Sequence, residues 1–188
     1  MSTPARRSRD AERTAADILR AAQQVFSTRS YSEAGVREIT ALANVTPALV
    51  NRYFGSKEKL FEAALADALD VRYLTEGDRA DFGRRLASLF IDGRGGDEHG
   101  VNPLPMLVMA TSDAGAREVA LRLLNEQIME PLVAWFGGPD AEDRAAQLVA
   151  VATGFFTFRL LLPLEPLAGD VSPAMRRWLA ETLQAIVD

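Results

Sequence analysis

The sequence predicts an all-α protein, with an N-terminal three-helix module containing a helix-turn-helix and a larger helical body behind it, about nine helices in all. Apolar residues recur at spacings of three and four along most of the 188 residues. No run rich in Val, Ile, Thr and Tyr alternates with period two, as a half-buried strand would. The helical stretches are bounded by residues that start and stop helices, such as Thr46-Pro47, Gly55-Ser56 and Ser172-Pro173.

The first helix is expected from Asp10 to Arg29, with Ile18, Leu19, Ala22, Val25 and Phe26 as its inner stripe. A turn follows at residues 30–35. The second helix begins after Gly35, with Glu38 near its positive end and Ile39, Leu42 and Ala43 facing inward. Asn44 then turns the chain, because asparagine tolerates the left-handed backbone conformation. The third helix takes Thr46 as its N-cap and Pro47 at its first position, where the missing N–H is harmless, and ends near Phe54.

Gly55 breaks the chain and Ser56 caps a fourth helix from Lys57 to about Leu74, whose apolar face is Leu60, Phe61, Ala64, Leu65 and Leu69. Further helices are expected at Arg79–Ile91, Pro103–Thr111, Ala114–Phe136 with a kink before Pro131, Ala141–Leu162 and Pro173–Val187. The Gly-rich run from Gly93 to Gly100 is a loop. The organisation expected is a module of residues 1–56, with 1–9 as a flexible basic arm, and a body of residues 57–188.

With 48% hydrophobic and 25% charged residues the composition is that of a globular protein. No cysteine is present, so disulfides, thiolate metal sites and a cysteine nucleophile are excluded. The basic start of the chain is not followed by an apolar stretch, so it does not read as a secretory leader. The most apolar region, Leu148–Leu164, is interrupted by Arg159 and Pro163 and reads as a buried helix rather than a membrane span. A cytoplasmic protein without a membrane partner is expected.

The net charge of −5 hides an asymmetry. Residues 1–60 carry ten basic and six acidic side chains, a net of +4, and the remainder carries eleven basic and twenty acidic, a net of −9. A basic module that meets phosphates, joined to an acidic body that does not, fits that division. In a helix-turn-helix the second helix presents its N-terminal residues to base edges, which requires small or polar side chains there. The third helix offers Thr46, Pro47, Ala48, Asn51 and Arg52.

From Thr14 to Ala64 the chain resembles the TetR family of bacterial regulators, whose DNA-binding domain runs ILxAAxxxF, a turn, VREIAxxAGVSxxxxYxxF and then SKxxL. The matching residues are Ile18, Leu19, Ala21, Ala22, Phe26, Tyr31, Val36, Arg37, Glu38, Ile39, Ala43, Val45, Pro47, Phe54, Ser56, Lys57, Leu60 and Phe61. The resemblance implies a homodimeric, DNA-binding transcriptional regulator, a repressor released from a near-palindromic double-stranded operator by a small, largely apolar effector. An activator and a helical interaction protein that does not bind DNA are the alternatives.

Carried over by position, Arg37, Thr46, Pro47, Ala48, Asn51, Tyr53 and Lys57 are the expected DNA contacts, with Arg52 beside them. Lys57, Arg52 and the hydroxyls of Thr46 and Tyr53 suit phosphate oxygens. Asn51 suits adenine, Arg37 guanine, and Pro47 or Ala48 a thymine methyl. The chain departs from the family pattern at Gly35, where Ser or Thr is usual, at Asn44, where Gly is usual, and at Asn51, where Tyr is usual. The last departure points to an unusual operator preference.

The resemblance also implies an effector pocket and a dimer surface in the body. Phe82, Leu86, Leu89, Phe90, Met106, Leu107, Met109, Phe155 and Phe156 suit an adaptable apolar cavity, and equally suit plain core. Val151, Gly154, Phe155, Phe158, Leu162, Trp178, Leu179 and Ile186 offer more apolar surface than one subunit need bury, with Gly154 allowing close helix approach. Arg159 lies within that apolar stretch and either pairs across a dimer or bonds within its own subunit.

Catalysis is not expected. No GxSxG, HExxH, Walker or dinucleotide motif occurs, and the only histidine, His99, shares its Gly-rich loop with Asp97 and Glu98 in the manner of solvated residues. Neither a cofactor nor a resident metal is implied.

Overall fold

The computed structural model describes residues 4–69, 75–92 and 102–188, and the regular structure among them is entirely helical. The helices are α1 (Pro4–Thr28), α2 (Val36–Leu42), α3 (Pro47–Phe54), α4 (Lys57–Ala68), α5 (Phe82–Asp92), α6 (Leu104–Ala110), α7 (Ala114–Leu124), α8 (Glu130–Phe136), α9 (Ala141–Phe156) and α10 (Pro173–Val187). They fall into two compact units, one of α1 to α4 with α6 and nearly all of α7, the other of α5, α8, α9 and α10.

In the first unit α1 packs on α2, α4 and α6. Its stripe of Ile18, Ala21, Ala22, Val25 and Phe26 is buried, and it meets Leu60, Phe61, Ala64 and Leu65 of α4, also buried. Phe26 stands edge-on to Phe61 with ring centroids 5.1 Å apart, and Tyr31 closes the cluster at 5.4 Å from Phe61. The polar exception on this face is Gln23, whose amide donates to the Ala64 carbonyl at 3.2 Å and to Asp67 Oδ2 at 2.8 Å. Because α4 packs so fully on α1, the compact units do not divide at residues 56 and 57, where the sequence reading set its boundary.

Two further expectations for this unit are corrected. The helix α1 starts at Pro4, so the stretch from Pro4 to Arg9 is helical rather than a flexible arm. Residues 5–13 contain neither Gly nor Pro, and proline at a first helical position favours the start. Leu42 was expected inside but is 55% exposed. The seven-residue α2 turns inward only Ile39 and Thr40, with half-buried Ala43 following as its C-cap, and Leu42 lies to the side of them. Thr40 is tolerated there because its hydroxyl donates to the Val36 carbonyl of its own helix at 3.0 Å.

In the second unit α10 packs along α5, and α8 and α10 pack on α9. The α5–α10 approach depends on Gly83: a Cβ built there would stand 2.2 Å from the Ala180 carbonyl oxygen and 2.6 Å from the Gln184 nitrogen. The Gly83 N–H donates to Gln184 Oε1 at 2.9 Å. Gly154, which sequence reasoning singled out for close approach, has open space around its α-carbon. The long segment Ala114–Phe136 is helical throughout, but between α7 and α8 it widens into a π turn at Asn125–Met129. The cause is Pro131, which lacks an N–H and crowds the carbonyl four residues back, so the expected kink takes the form of a wider turn. A second π turn, Thr157–Leu161, ends the α9 segment.

Arg159 is satisfied within its own subunit: its guanidinium donates to the carbonyls of Leu167 (2.7 Å), Gly169 (3.1 Å) and Ile91 (2.8 Å). Arg144 likewise donates to the last carbonyls of α10, Ile186 at 2.6 Å and Val187. The Gly93–Gly100 loop with Asp97, Glu98 and His99, the end of the expected fourth helix at residues 70–74, and the side chains of Arg6 and Arg7 lie outside what is described. Among the described residues no helix is long and apolar enough to cross a membrane.

Candidate nucleic-acid interface

The turn between α2 and α3 follows from two residues. Asn44 takes φ 53°, in the left-handed region, and lets its own N–H bond the Ala41 carbonyl at 3.1 Å while Val45 N–H bonds Thr40 at 2.9 Å. Thr46 then caps α3 in extended conformation without a side-chain capping bond, and Pro47 occupies the first turn. The Thr46 hydroxyl thus has no capping duty. Gly55, at φ 83°, ends α3, and Ser56 accepts from Lys59 N–H at 3.1 Å to start α4.

The α3 face so presented is open. Thr46, Pro47, Ala48, Asn51 and Arg52 are exposed, and the last four share one side of the helix by their spacing. The opposite side is anchored by Val50, fully buried. Arg37 is exposed on α2. Tyr53 does not share the open face: it is half-buried on the anchoring side, with the Arg52 guanidinium 5.9 Å from its ring centroid.

Lys57 stands at the first position of α4 with its ammonium 4.5 Å from the Tyr31 ring centroid. Burial holds the Lys57 pKa below the ordinary lysine value, opposed by the charge of Asp113. The neighbouring Tyr31 hydroxyl is raised, by burial first and then by Glu58 and Asp113. Sequence reasoning did not find this second layer. Along the chain Tyr31 is only a match to the family pattern, and nothing connects Asp113, between α6 and α7, with a lysine fifty-six residues earlier.

In the body, the expected pocket residues do not all gather. Phe90, Phe155 and Phe156 form an aromatic trio with centroids 4.7 to 6.1 Å apart. The Phe82 ring meets Trp135 at a tilt, with centroids 5.0 Å apart, and Leu86 is buried in the same helix as Phe82. Met106 and Met109 lie on α6, in the other compact unit, where α6 packs on α1. Of the expected dimer residues, Leu179 and Ile186 are buried within their own subunit, on the inward face of α10. Phe158, Leu162 (64%) and Trp178 (51%) are exposed, together with Leu160 and Leu164. Among the described residues no three His, Asp or Glu side chains converge as metal ligands would.

A two-turn helix, a left-handed asparagine turn and an open, proline-started second helix, all on a three-helix core, define a helix-turn-helix protein with an attached helical body. Residues 18–64 match the family model described as bacterial regulatory proteins, tetR family, and residues 80–187 match that of the tetracyclin repressor-like C-terminal domain. The chain belongs to the TetR family, whose members are transcriptional regulators and not enzymes.

Over 59 residues the chain is 41% identical to the HTH-type transcriptional repressor NicS of Pseudomonas putida, a match that spans 31% of this chain and only 28% of that protein. The fold is similar to the crystal structure of a TetR-family regulator from Streptomyces coelicolor A3, at 25% identity and a TM-score of 0.56, covering 94% of this chain and 95% of that one. It is also similar to the multidrug binding protein EbrR complexed with ethidium, at 23% identity and a TM-score of 0.63, covering 93% and 99%.

Proposed function

We propose that this regulator is a homodimeric repressor that binds a near-palindromic operator and is released from it by a small, largely apolar molecule. The observation that carries the reading is the open face of α3, where Pro47, Ala48, Asn51 and Arg52 stand exposed on one side of a short helix whose other side is anchored by Val50. On this reading residues 1–56 are the DNA-binding part and 57–188 hold the effector and the partner subunit. Asn51 pairs with adenine, Arg37 with guanine, and Pro47 or Ala48 touches a thymine methyl. Arg52, Thr46 and Lys57 hold phosphates, and Tyr53 reaches one only from the margin of the face.

Repression is favoured by the likeness of the N-terminal region to NicS, a repressor. The exposed apolar residues Phe158, Leu162 and Trp178, with Val151 and Gly154 beside them on α9, suit a second copy of the chain, which two-fold symmetry would place with two α3 helices facing successive half-sites. An effector among Phe82, Leu86, Leu89, Phe90, Phe155 and Phe156 would favour a dimer with altered α3 spacing and so lower operator affinity. EbrR, which shares the fold, is a multidrug binding protein complexed with ethidium, which favours a small-molecule effector here. The protein would act in the cytoplasm, where the DNA is.

The test is binding of the purified protein to its own upstream DNA across a salt series, with wild type beside a Lys57→Ala, Asn51→Ala double variant. The expected result is selective binding that falls steeply with salt and is lost in the variant. No binding at any salt would favour a helical interaction protein instead; activation of transcription from a bound promoter would favour an activator.

A further inference from the structure

Lys57 opens α4, where the unpaired N–H groups of a helix already gather positive charge, so a lysine at that position gains nothing from the helix it begins. Several other cations in the same unit meet carboxylates: Arg20 pairs with Asp17, Arg29 with Glu38 and Lys59 with Glu62. Among the described residues no carboxylate stands within ion-pairing distance of Lys57. Its ammonium lies instead against the Tyr31 ring, 4.5 Å from the centroid. The charges of Glu58 and Asp113 reach this corner, but only from further off.

The ring is itself held in place. Tyr31 lies in the turn between α1 and α2, half-buried, with its centroid 6.1 Å from that of Phe26 on α1 and 5.4 Å from that of Phe61 on α4. Phe26, Tyr31, Lys57 and Phe61 all belong to the first compact unit. A carboxylate and a ring act differently on a lysine. The carboxylate holds the ammonium by cancelling its charge and occupying its donors, whereas an aromatic face attracts it through the ring quadrupole and takes neither.

We propose that the Tyr31 ring is the platform that holds the Lys57 ammonium, still charged and with its N–H donors free, in position for a DNA phosphate. This rests on the DNA-binding reading above. Tyr31 is a positioning residue and is assigned no contact with DNA. A lysine has a flexible four-carbon stem, and ordering it on a phosphate costs side-chain entropy. A stem already resting on a fixed ring has less freedom to lose when the phosphate arrives.

The attraction is to the face of the ring, so it can be weakened with little change of shape, by fluorination, which drains electron density from that face. The experiment replaces Tyr31 with phenylalanine and with its mono-, di- and trifluorinated forms, in the wild-type protein and in Lys57→Ala. Binding of each full-length protein to its own upstream DNA is followed by fluorescence anisotropy across a salt series, and each protein is also melted thermally. The expected result is a Kd that rises stepwise with fluorination, to about fivefold above the phenylalanine form in the trifluorinated one. In Lys57→Ala the salt dependence should be shallower by about one phosphate, and the same ring series should be flat.

A Kd indifferent to fluorination, a Kd that falls with it, an equal rise in Lys57→Ala, or a loss of affinity that tracks a loss of melting temperature would each overturn the platform. Any of these in a protein whose wild type binds DNA selectively overturns only this inference. Wild type that binds no DNA at any salt overturns the proposed function, and the platform with it.

Discussion

The two compact units differ most in what they leave uncovered. The unit of α1 to α4, α6 and α7 closes an aromatic core around Phe26, Tyr31 and Phe61 and presents small, polar and cationic residues along α3. Its exposed large apolar side chains, Leu42, Val108 and Leu121, lie singly on three different helices, as is normal for a surface. The unit of α5, α8, α9 and α10 instead exposes Phe158, Leu160, Leu162 and Leu164 within seven residues, and Trp178 as well. One surface suits ions and is weakened by salt; the other suits apolar burial and is almost indifferent to salt.

The largest expected effect tests that contrast directly. Phe158→Glu with Trp178→Glu places two charges on the apolar surface, and sedimentation should then find monomers, with a rise of at least about 100-fold in the dimer dissociation constant. A dimer that survives would show that the exposed leucines and rings serve something other than self-association. Next in size is Gly83→Ala, which forces a methyl into backbone atoms of α10 and should destabilise the body by about 1–3 kcal/mol in urea unfolding. Gly154→Ala, in open space, should not. The smallest effect belongs to the helix-turn-helix: Asn44→Ala should cost about 1 kcal/mol in the same assay, because it must hold φ 53°, whereas Asn44→Gly should be close to neutral.

Legibility followed the range of the interactions. The α2–α3 turn was readable because Asn44, Thr46, Pro47, Gly55 and Ser56 act through their own backbone, and each has the predicted place in the structure. The kink at Pro131 was readable for the same reason, although its form as a π turn was not. Features that depend on distant partners were missed. Gly83 looks like an ordinary glycine until α10 is laid against it, a hundred residues later. Leu179 and Ile186 share the apolar character of Trp178, and only the packing of α10 separates those that face inward from the one that does not. Glu62 and Arg122 sit on helices whose own periodicity gives no sign of a pair between them.

The three carbonyl bonds of Arg159 have a thermodynamic consequence for whatever meets the apolar surface. They join the end of α5 to the loop that follows the second π turn, and that loop carries Leu162 and Leu164. Its backbone order is therefore already set before any encounter, so association need not freeze a wandering strap. A calorimeter following assembly should record a negative heat-capacity change in proportion to the apolar area covered, without the large ordering entropy of a segment that folds as it binds.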